Sequence, residues 1–373
     1  MTTRSRILQV LYSGLGGHAA VAMPLIEAGG SDDPWEHRLL FYGIEPVAAA
    51  YQDLCTQKGI QYDYVPAQQG RPWAGWPRLS RAIRAMQPDA VILHSIKTVV
   101  PARWAARGIP LLAVEHQANA LKTRSEWGAS LTAQFLADRV ITLSSDYQAT
   151  LAQKLGPAYR STRATLIPTG VDLSSFTLPR KALGNGRKIR IGMAGRFTPT
   201  KAQEVLISAL AHLSKRAPQW DWELSLAGDG VRFETVWEAA RSAGVDERVK
   251  MLGHIAPERL PSWFANLDIY AHASDGETLS TALLQAMAAG VPIVASDVVG
   301  ISDLLTPSSR SEDTLGHLVP VRDAEAFANA IIGVVQTPDQ AILRATRAQE
   351  HVVRYHNPTK MRAGYAELLK DLL

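Results

Sequence analysis

The sequence predicts an α/β protein built from two doubly wound parallel-sheet domains that face each other across a cleft. Strand-like apolar runs alternate with helix-like segments along the 373 residues, the runs fall into two series, and a polar stretch parts the series. The first series is Arg6–Tyr12, His37–Tyr42, Ile60–Val65, Ala90–Leu93, Leu111–Val114, Val140–Leu143 and Ala164–Ile167. The second is Ile189–Ala194, Trp222–Ala227, Val249–Leu252, Ile269–Ala271, Pro292–Ala295 and Gly316–Val319. Alternation at this spacing gives parallel strands whose crossover helices cover both sheet faces. Between the series, SSFTLPRKALGNGRK (174–188) has the Ser, Gly, Pro and charge content of a linker. The expected division is a domain over 1–175, a linker over 176–187 and a domain over 188–357, with a C-terminal helix, 358–373, rejoining the first domain. Ligands of open α/β sheets bind beyond the carboxyl ends of the strands, so the expected site is the cleft.

The first strand runs into LYSGLGGHAAVAM (11–23), where Gly14, Gly16 and Ala19 fit the G-x-G-x-x-A form of a dinucleotide turn. Glycines there let backbone approach a ligand, and the following helix start offers N–H groups to an anion. That chemistry suits any phosphate, or the turn binds nothing. NAD needs an acid closing the second strand, about 20 residues on. Here that strand is His37–Tyr42 without a carboxylate, and Glu45 follows in a turn before Pro46. NAD is disfavoured.

Composition narrows the field further. The 46% hydrophobic and 20% charged content is that of a globular protein, and a single cysteine, Cys55, excludes an internal disulfide and a multi-cysteine metal site. The N-terminus enters a strand without a signal-like apolar block, and no run approaches membrane-span length, so a cytoplasmic protein is expected. Residues 1–175 hold 17 Lys/Arg against 13 Asp/Glu, and the remainder 22 against 22, which puts the whole net +4 in the first half. No acid lies between Asp63 and Asp89, yet Arg71, Arg78, Arg81 and Arg84 occur there with Trp73 and Trp76. This pattern suits peripheral contact with an anionic membrane, or a solvated helix face. No recognition motif accompanies it, so nucleic acid is not an expected partner.

The second half opens with KIRIGMAGRFTPTKAQ, in which a strand ends at Gly195, Arg196 follows, and Lys201 leads into the next helix. Two cations beside a helix start would neutralise a diphosphate and stabilise it as it departs. Further on, ASDGETLSTALLQAM (273–287) places Asp275, Gly276 and Glu277 in a turn. The amides of Thr278, Leu279 and Ser280 then come at the helix start, with Gln285 two turns in. A carboxylate and several amides suit a polyhydroxylated ligand.

These residues carry a resemblance. The chain resembles the retaining glycosyltransferases of family 4, with the GT-B fold of two Rossmann-like domains, most strongly from Ile167 to Val299. IPTGVDLSSF is similar to the family's Asn-Gly-Val-Asp…Phe segment, AGRFTPTK to its Gly-Arg…Lys signature, and LAGDG to its Gly-x-Gly turn, with Gly228. MLGHIAPERLPSWFANLDIYAHAS resembles the stretch before its acidic motif and places His254 near the nucleotide base. The motif itself, Glu and Glu with seven residues between, reads Glu277 to Gln285 here, so an amide stands where the family has its second carboxylate. In the family, the first Glu and the following amides hold the donor sugar and the second Glu holds ribose hydroxyls.

The resemblance implies that Gly16 and Gly17 are close-approach positions beside the donor or its acceptor. It implies that His116, just past the strand in IPLLAVEHQANAL, works near the reacting sugar, with His94 at another strand end a second candidate. Acceptor loops are expected around Leu121 to Gln134. The implied activity is transfer of a sugar from a nucleoside-diphosphate-sugar to an acceptor hydroxyl with retention. Arg196 and Lys201 stabilise the leaving group, and no metal or cofactor is expected. A lipid-linked acceptor, as in surface polysaccharide or glycolipid assembly, suits the basic stretch. Two other readings stay open: an NAD-linked oxidoreductase using the first turn, and a sugar-nucleotide-binding protein without catalysis, which Gln285 favours.

Overall fold

The computed structural model describes residues 4–14, 18–30, 33–117, 119–176, 188–307 and 314–373. They form two compact units, Met1–Val171 with His356–Leu373, and Asp172–Tyr355.

The first unit begins β1 (Ser5–Leu11), α1 (Ala19–Glu27), β2 (Trp35–Gly43), α2 (Ala49–Lys58) and β3 (Gln61–Pro66). It continues α3 (Trp76–Ala85), β4 (Ala90–Leu93), α4 (Val99–Ala105), β5 (Leu111–Val114) and α5 (Arg124–Leu136). Then come β6 (Arg139–Thr142), α6 (Ser145–Leu155) and β7 (Ala164–Leu166). The seven strands are parallel in the order β3-β2-β1-β4-β5-β6-β7. The chain builds outward from β1 to β3, then returns to place β4 on the other side of β1. That reversal makes the carboxyl ends of β1 and β4 a switch point, where such sheets bind ligands. Central strands are buried on both faces: Leu8 and Val10 pack with α3 and α4, and Ile7 with the opposite layer. The edge strand β3 is largely exposed, as a polar edge should be.

The second unit runs β8 (Lys188–Ala194), α7 (Gln203–Arg216), β9 (Asp221–Ala227), α8 (Phe233–Ser242), β10 (Val249–Gly253) and α9 (Leu260–Ala265). It continues β11 (Ile269–His272), α10 (Thr281–Ala288), β12 (Ile293–Ser296), α11 (Val299–Leu305) and β13 (His317–Val319). Two helices, α12 (Ala324–Gln336) and α13 (Pro338–Tyr355), end it. Its six strands are parallel in the order β10-β9-β8-β11-β12-β13, with the switch point between β8 and β11. Its core gathers strand residues such as Ile191, Leu224 and Ile269 beneath α7 and α12. Trp222 is fully buried there and donates its indole N–H to the Ala217 carbonyl at 2.9 Å.

The last helix, α14 (Pro358–Leu372), belongs to the first unit. Met361, Tyr365 and Leu369 lie on one face at i, i+4, i+8 and are buried against Ile7, Val21 and Trp35. Side chains of this kind contribute about 1.5–3 kcal/mol each on burial. Arg362 stacks over Trp35, 4.0 Å from the ring centroid, pairs with Asp33, and donates to the Leu25 carbonyl.

The unit boundaries fall at 171/172 and 355/356, slightly before the expected 175 and 357. The two chain passages are bound together there. Val171 donates its N–H to the His356 carbonyl at 3.0 Å, and a Cβ on Gly170 would lie 2.5 Å from Pro358. That close approach accounts for the glycine in IPTGVD. Of the expected linker 176–187, only Phe176 is described; it packs edge-on against Phe264. The rest lies outside the described residues. No described helix is long and apolar enough to cross a membrane.

Candidate functional site

In the second unit, the turns after β8 and β11 bring together residues far apart in sequence. Glu277 Oε1 accepts from Lys201 Nζ and meets His272 Nε2 at 2.9 Å, while Lys201 Nζ and His272 Nε2 are 3.4 Å apart. Beneath them the Tyr270 hydroxyl lies 3.0 Å from His272 Nδ1 and 3.3 Å from the Ala194 carbonyl. The Lys201 and Glu277 side chains are 18% and 11% exposed, and that of His272 is fully buried. Burial opposes ionisation of Glu277, but the Lys201 charge and the His272 hydrogen bond outweigh it and hold its pKa down to about 2. His272 is pushed below its ordinary value by burial and by the Lys201 charge, against the pull of Glu277.

Arg196 is exposed, and no carboxylate pairs with its guanidinium among the described residues. Lys201 lies two residues before α7 rather than within it, in a turn closed by its N–H donating to the Thr198 carbonyl at 3.0 Å. Ser280 is the N-cap of α10, its hydroxyl accepting from the Leu283 N–H, so Thr278 and Leu279 precede the helix. The N–H groups of Leu279 and Ser280 meet no acceptor among the described residues. Gln285, half-buried, follows Thr281 by four residues, which puts it one turn into the helix instead of the expected two. His254 is exposed, one residue past β10.

Gly195 and Gly228 have their N–H groups committed, to the Ala227 carbonyl at 2.9 Å and the Gly253 carbonyl at 2.7 Å. The contribution of Gly228 is therefore steric. Gly228 has φ +131°, and a Cβ on it would lie 2.1 Å from the Gly195 carbonyl oxygen. The glycine lets the two turns close on one another. Gly300, at the start of α11, does the same for the acidic turn: its Cβ would lie 2.4 Å from the Glu277 carbonyl. Arg322 (φ +60°) pins that turn through Asp275, Nε to Oδ1 2.9 Å.

In the first unit, the carboxyl ends of β1, β4 and β5 gather a polar cluster without a carboxylate. His94, 1% exposed, has Nε2 3.0 Å from Gln9 Oε1 and Nδ1 3.0 Å from His116 Nε2. His18 lies over His116 with ring centroids 4.6 Å apart, and its Nδ1 accepts the Tyr12 N–H at 3.2 Å. Burial drives all three histidines below their ordinary pKa, His18 to about 4. They are neutral at pH 7. Gly16 and Gly17 lie outside the described residues. Nearby, Glu45 Oε2 lies 2.3 Å from where a Cβ on Gly14 would be.

The loop after His116 is tied down by a fully buried pair, Lys122 Nζ to Glu115 Oε2 at 2.9 Å. Ser130 and the Tyr147 hydroxyl extend the network, and Thr123 with Glu126 forms a capping box on α5. The expected acceptor region Leu121 to Gln134 is thus α5 and its entry.

On α3, Leu79, Ser80 and Ile83 are buried and Arg78, Arg81 and Arg84 are exposed. Trp76 is partly buried against the core, so less of it than expected faces outward. Trp104 of α4 takes its place: it is 58% exposed, as is Trp73, and Arg84 donates to its carbonyl at 3.3 Å.

Sequence reasoning passed over Gln9, His18, Tyr270, His272, Gly300 and Arg322. Gln9 and His272 sit inside apolar strands, and their only signal is a polar residue where burial on both faces is expected.

Known proteins agree with this architecture. A family described as Glycosyltransferase Family 4 matches residues 32–175, and Glycosyl transferases group 1 matches residues 188–337. A phosphatidyl-myo-inositol mannosyltransferase of Mycolicibacterium smegmatis is 34% identical over 195 residues, 52% of this chain and 48% of that protein. A D-inositol 3-phosphate glycosyltransferase of Corynebacterium urealyticum is 30% identical over 207 residues, 52% and 48%. The chain thus spans about half the length of the curated relatives it matches. Among solved structures, Anabaena HepE in complex with UDP superposes with TM-score 0.80 at 22% identity, covering 98% of this chain and 100% of that one. Sucrose-phosphate synthase from Thermosynechococcus elongatus gives 0.78 at 20%, covering 99% of each. The two family matches together account for most of the chain, which belongs to the GT-B glycosyltransferases of family 4.

Proposed function

We propose that the protein transfers a sugar from a nucleoside-diphosphate-sugar to an acceptor hydroxyl with retention of configuration. The observation that carries this reading is the contact of Lys201, Glu277 and His272 at the switch point of the second unit, with the exposed Arg196 on the turn that leads to Lys201 and the N–H groups of Leu279 and Ser280 following Glu277 in the chain. Arg196 and Lys201 hold the diphosphate and stabilise the negative charge that grows on it as the glycosidic bond breaks. Glu277, kept ionised, accepts hydrogen bonds from sugar hydroxyls. The bond from the anomeric carbon to the diphosphate oxygen breaks, and the acceptor oxygen bonds to that carbon from the same face. The acceptor proton passes to the departing phosphate oxygen, so no carboxylate nucleophile is required. The cations carry the leaving charge without a metal ion. The uncharged His94–His116 cluster of the first unit suits hydroxyls rather than phosphates.

The acceptor we favour is lipid-linked, in glycolipid or surface-polysaccharide assembly, with the protein a peripheral guest at the inner face of the membrane. Supporting it are the exposed Trp73 and Trp104 beside Arg78, Arg81 and Arg84, and a relative that carries phosphatidyl-myo-inositol in its name. The deciding experiment is thermal shift and nucleotide release with UDP-glucose, GDP-mannose and ADP-glucose. At least one should raise the melting temperature, because a ligand bound only by the folded state stabilises it, and should be turned over slowly without acceptor. If none does either, the transferase reading falls; stabilisation without release from any donor, with or without acceptors, would leave a binding protein.

A further inference from the structure

We infer that Gln9, acting through His94, fixes which nitrogen of His116 carries its proton, and so makes Nδ1 the hydrogen-bond acceptor of that ring. Gln9 and His94 are then positioning residues for His116, an inference that rests on reading the first unit as the hydroxyl-binding half. Gln9 is fully buried in β1 between Leu8 and Val10, and its Nε2 meets no hydrogen-bond partner among the described residues. An unpaired buried amide donor is unfavourable, and a leucine would fill the same space without that cost. What the amide does is supply Oε1 to His94.

The protons follow from the contacts. An amide oxygen only accepts, so His94 carries its proton on Nε2, 3.0 Å from Gln9 Oε1. His94 Nδ1 is then a lone pair. The 3.0 Å contact between His94 Nδ1 and His116 Nε2 needs one proton, and it comes from His116. The neutral His116 ring therefore has its lone pair on Nδ1. Burial keeps both rings neutral, which holds the relay in this single pattern. His18 is set independently: Nδ1 accepts the Tyr12 N–H, so its proton sits on Nε2. The His18 and His116 rings, 4.6 Å apart and tilted by 49°, thus carry one ring N–H and one ring acceptor, the complement of a hydroxyl, which both donates and accepts.

The test is long-range proton–nitrogen NMR on protein labelled with nitrogen-15 at histidine, run beside UDP release from UDP-glucose and GDP release from GDP-mannose. Wild type should show His94 and His116 protonated at Nε2 and bare at Nδ1 at pH 7. In Gln9→Leu, His94 Nε2 loses its acceptor, so both rings should reverse, with protons on Nδ1 and the shared hydrogen bond preserved. Turnover should fall about tenfold at unchanged KM, since about one hydrogen bond's worth of free energy is lost. Gln9→Glu, which keeps an accepting oxygen, should retain the wild-type tautomers; Gln9→Met repeats the leucine arm should that variant fold poorly. A Nδ1 proton on His116 in wild type, or tautomers unchanged in Gln9→Leu and Gln9→Met, overturns the inference. If neither donor is turned over, the kinetic arm counts against the transferase reading alone, because the spectra judge the relay without activity.

Discussion

The two switch points of this protein are built from opposite electrostatics on the same topology. In the second unit, a lysine and an ionised glutamate meet a buried histidine, and an exposed arginine lies on the same turn as the lysine. In the first, three neutral histidines and a glutamine occupy the corresponding strand ends with no charge among them. Both sheets reverse their strand order there, so topology alone does not decide what binds. The side chains do: fixed charges answer a diphosphate, and tautomer-specific neutral groups answer hydroxyls. The excess basic charge of the first half lies elsewhere, on the exposed face of α3.

The contrast breaks most simply by removing the charges. Arg196→Ala and Lys201→Ala should each lower turnover by on the order of 100-fold or more, with melting temperature little changed for the exposed arginine. Lys201→Ala also leaves Glu277 with only His272, so its donor affinity should fall too. Near-normal turnover in both variants would remove the second unit's claim to the diphosphate.

Reversing the charge of α3 tests whether the basic residues of the first unit serve a membrane. Each basic residue near an anionic surface contributes about 1 kcal/mol, weakening with salt. Arg78→Glu/Arg81→Glu/Arg84→Glu should therefore weaken co-sedimentation with anionic vesicles by on the order of 100-fold at low salt, leaving hydrolysis of the donor in solution intact. Wild type that ignores anionic vesicles at low salt would reduce the patch to an ordinary solvated face.

A smaller change sharpens the donor half. Gln285→Glu should tighten donor binding a few-fold, because a charge-assisted hydrogen bond to ribose hydroxyls is roughly twice as strong as a neutral one. Measured by calorimetry, a loss of affinity instead would show that the amide N–H of Gln285 is the group in use.

The fold was legible because parallel strands buried on both faces announce themselves as short apolar runs, and both series of runs appear as the two sheets. Arg196, Lys201 and Glu277 were legible as motif residues, but the bond between Lys201 and Glu277 spans 76 positions and belongs to the tertiary structure. Gln9 and His272 were not legible. One polar residue in an apolar strand changes the pattern too little to stand out, yet each becomes central once the neighbouring strands bring its partners. Gly228 was legible only as part of a motif, and Gly300 was opaque for another reason: its role is to leave space for a carbonyl, and space has no sequence signature.

The smallest effect separates the two sites by pH. His18 is held down to about 4 by burial, against about 6.5 in an unfolded chain. Between these values the unfolded state binds a proton that the folded state does not, so stability falls as pH drops from 6.5 towards 4. His94 and His116, also lowered by burial, add to the same trend. Glu277, held near 2 against about 4.3 unfolded, keeps its full contribution above 4.3 and loses it as pH falls from there to 2. His18→Gln should therefore flatten the dependence of the urea midpoint on pH between 6.5 and 4, whereas Glu277→Gln should remove the loss below 4.3 and, by taking away the carboxylate that pulls His272 up, steepen the fall below 6.5. Midpoints measured at half-unit steps decide between the windows. An unchanged slope in His18→Gln would mean that its ring already reaches water and protonates in the folded protein, and the uncharged character of the first site would no longer hold below neutral pH.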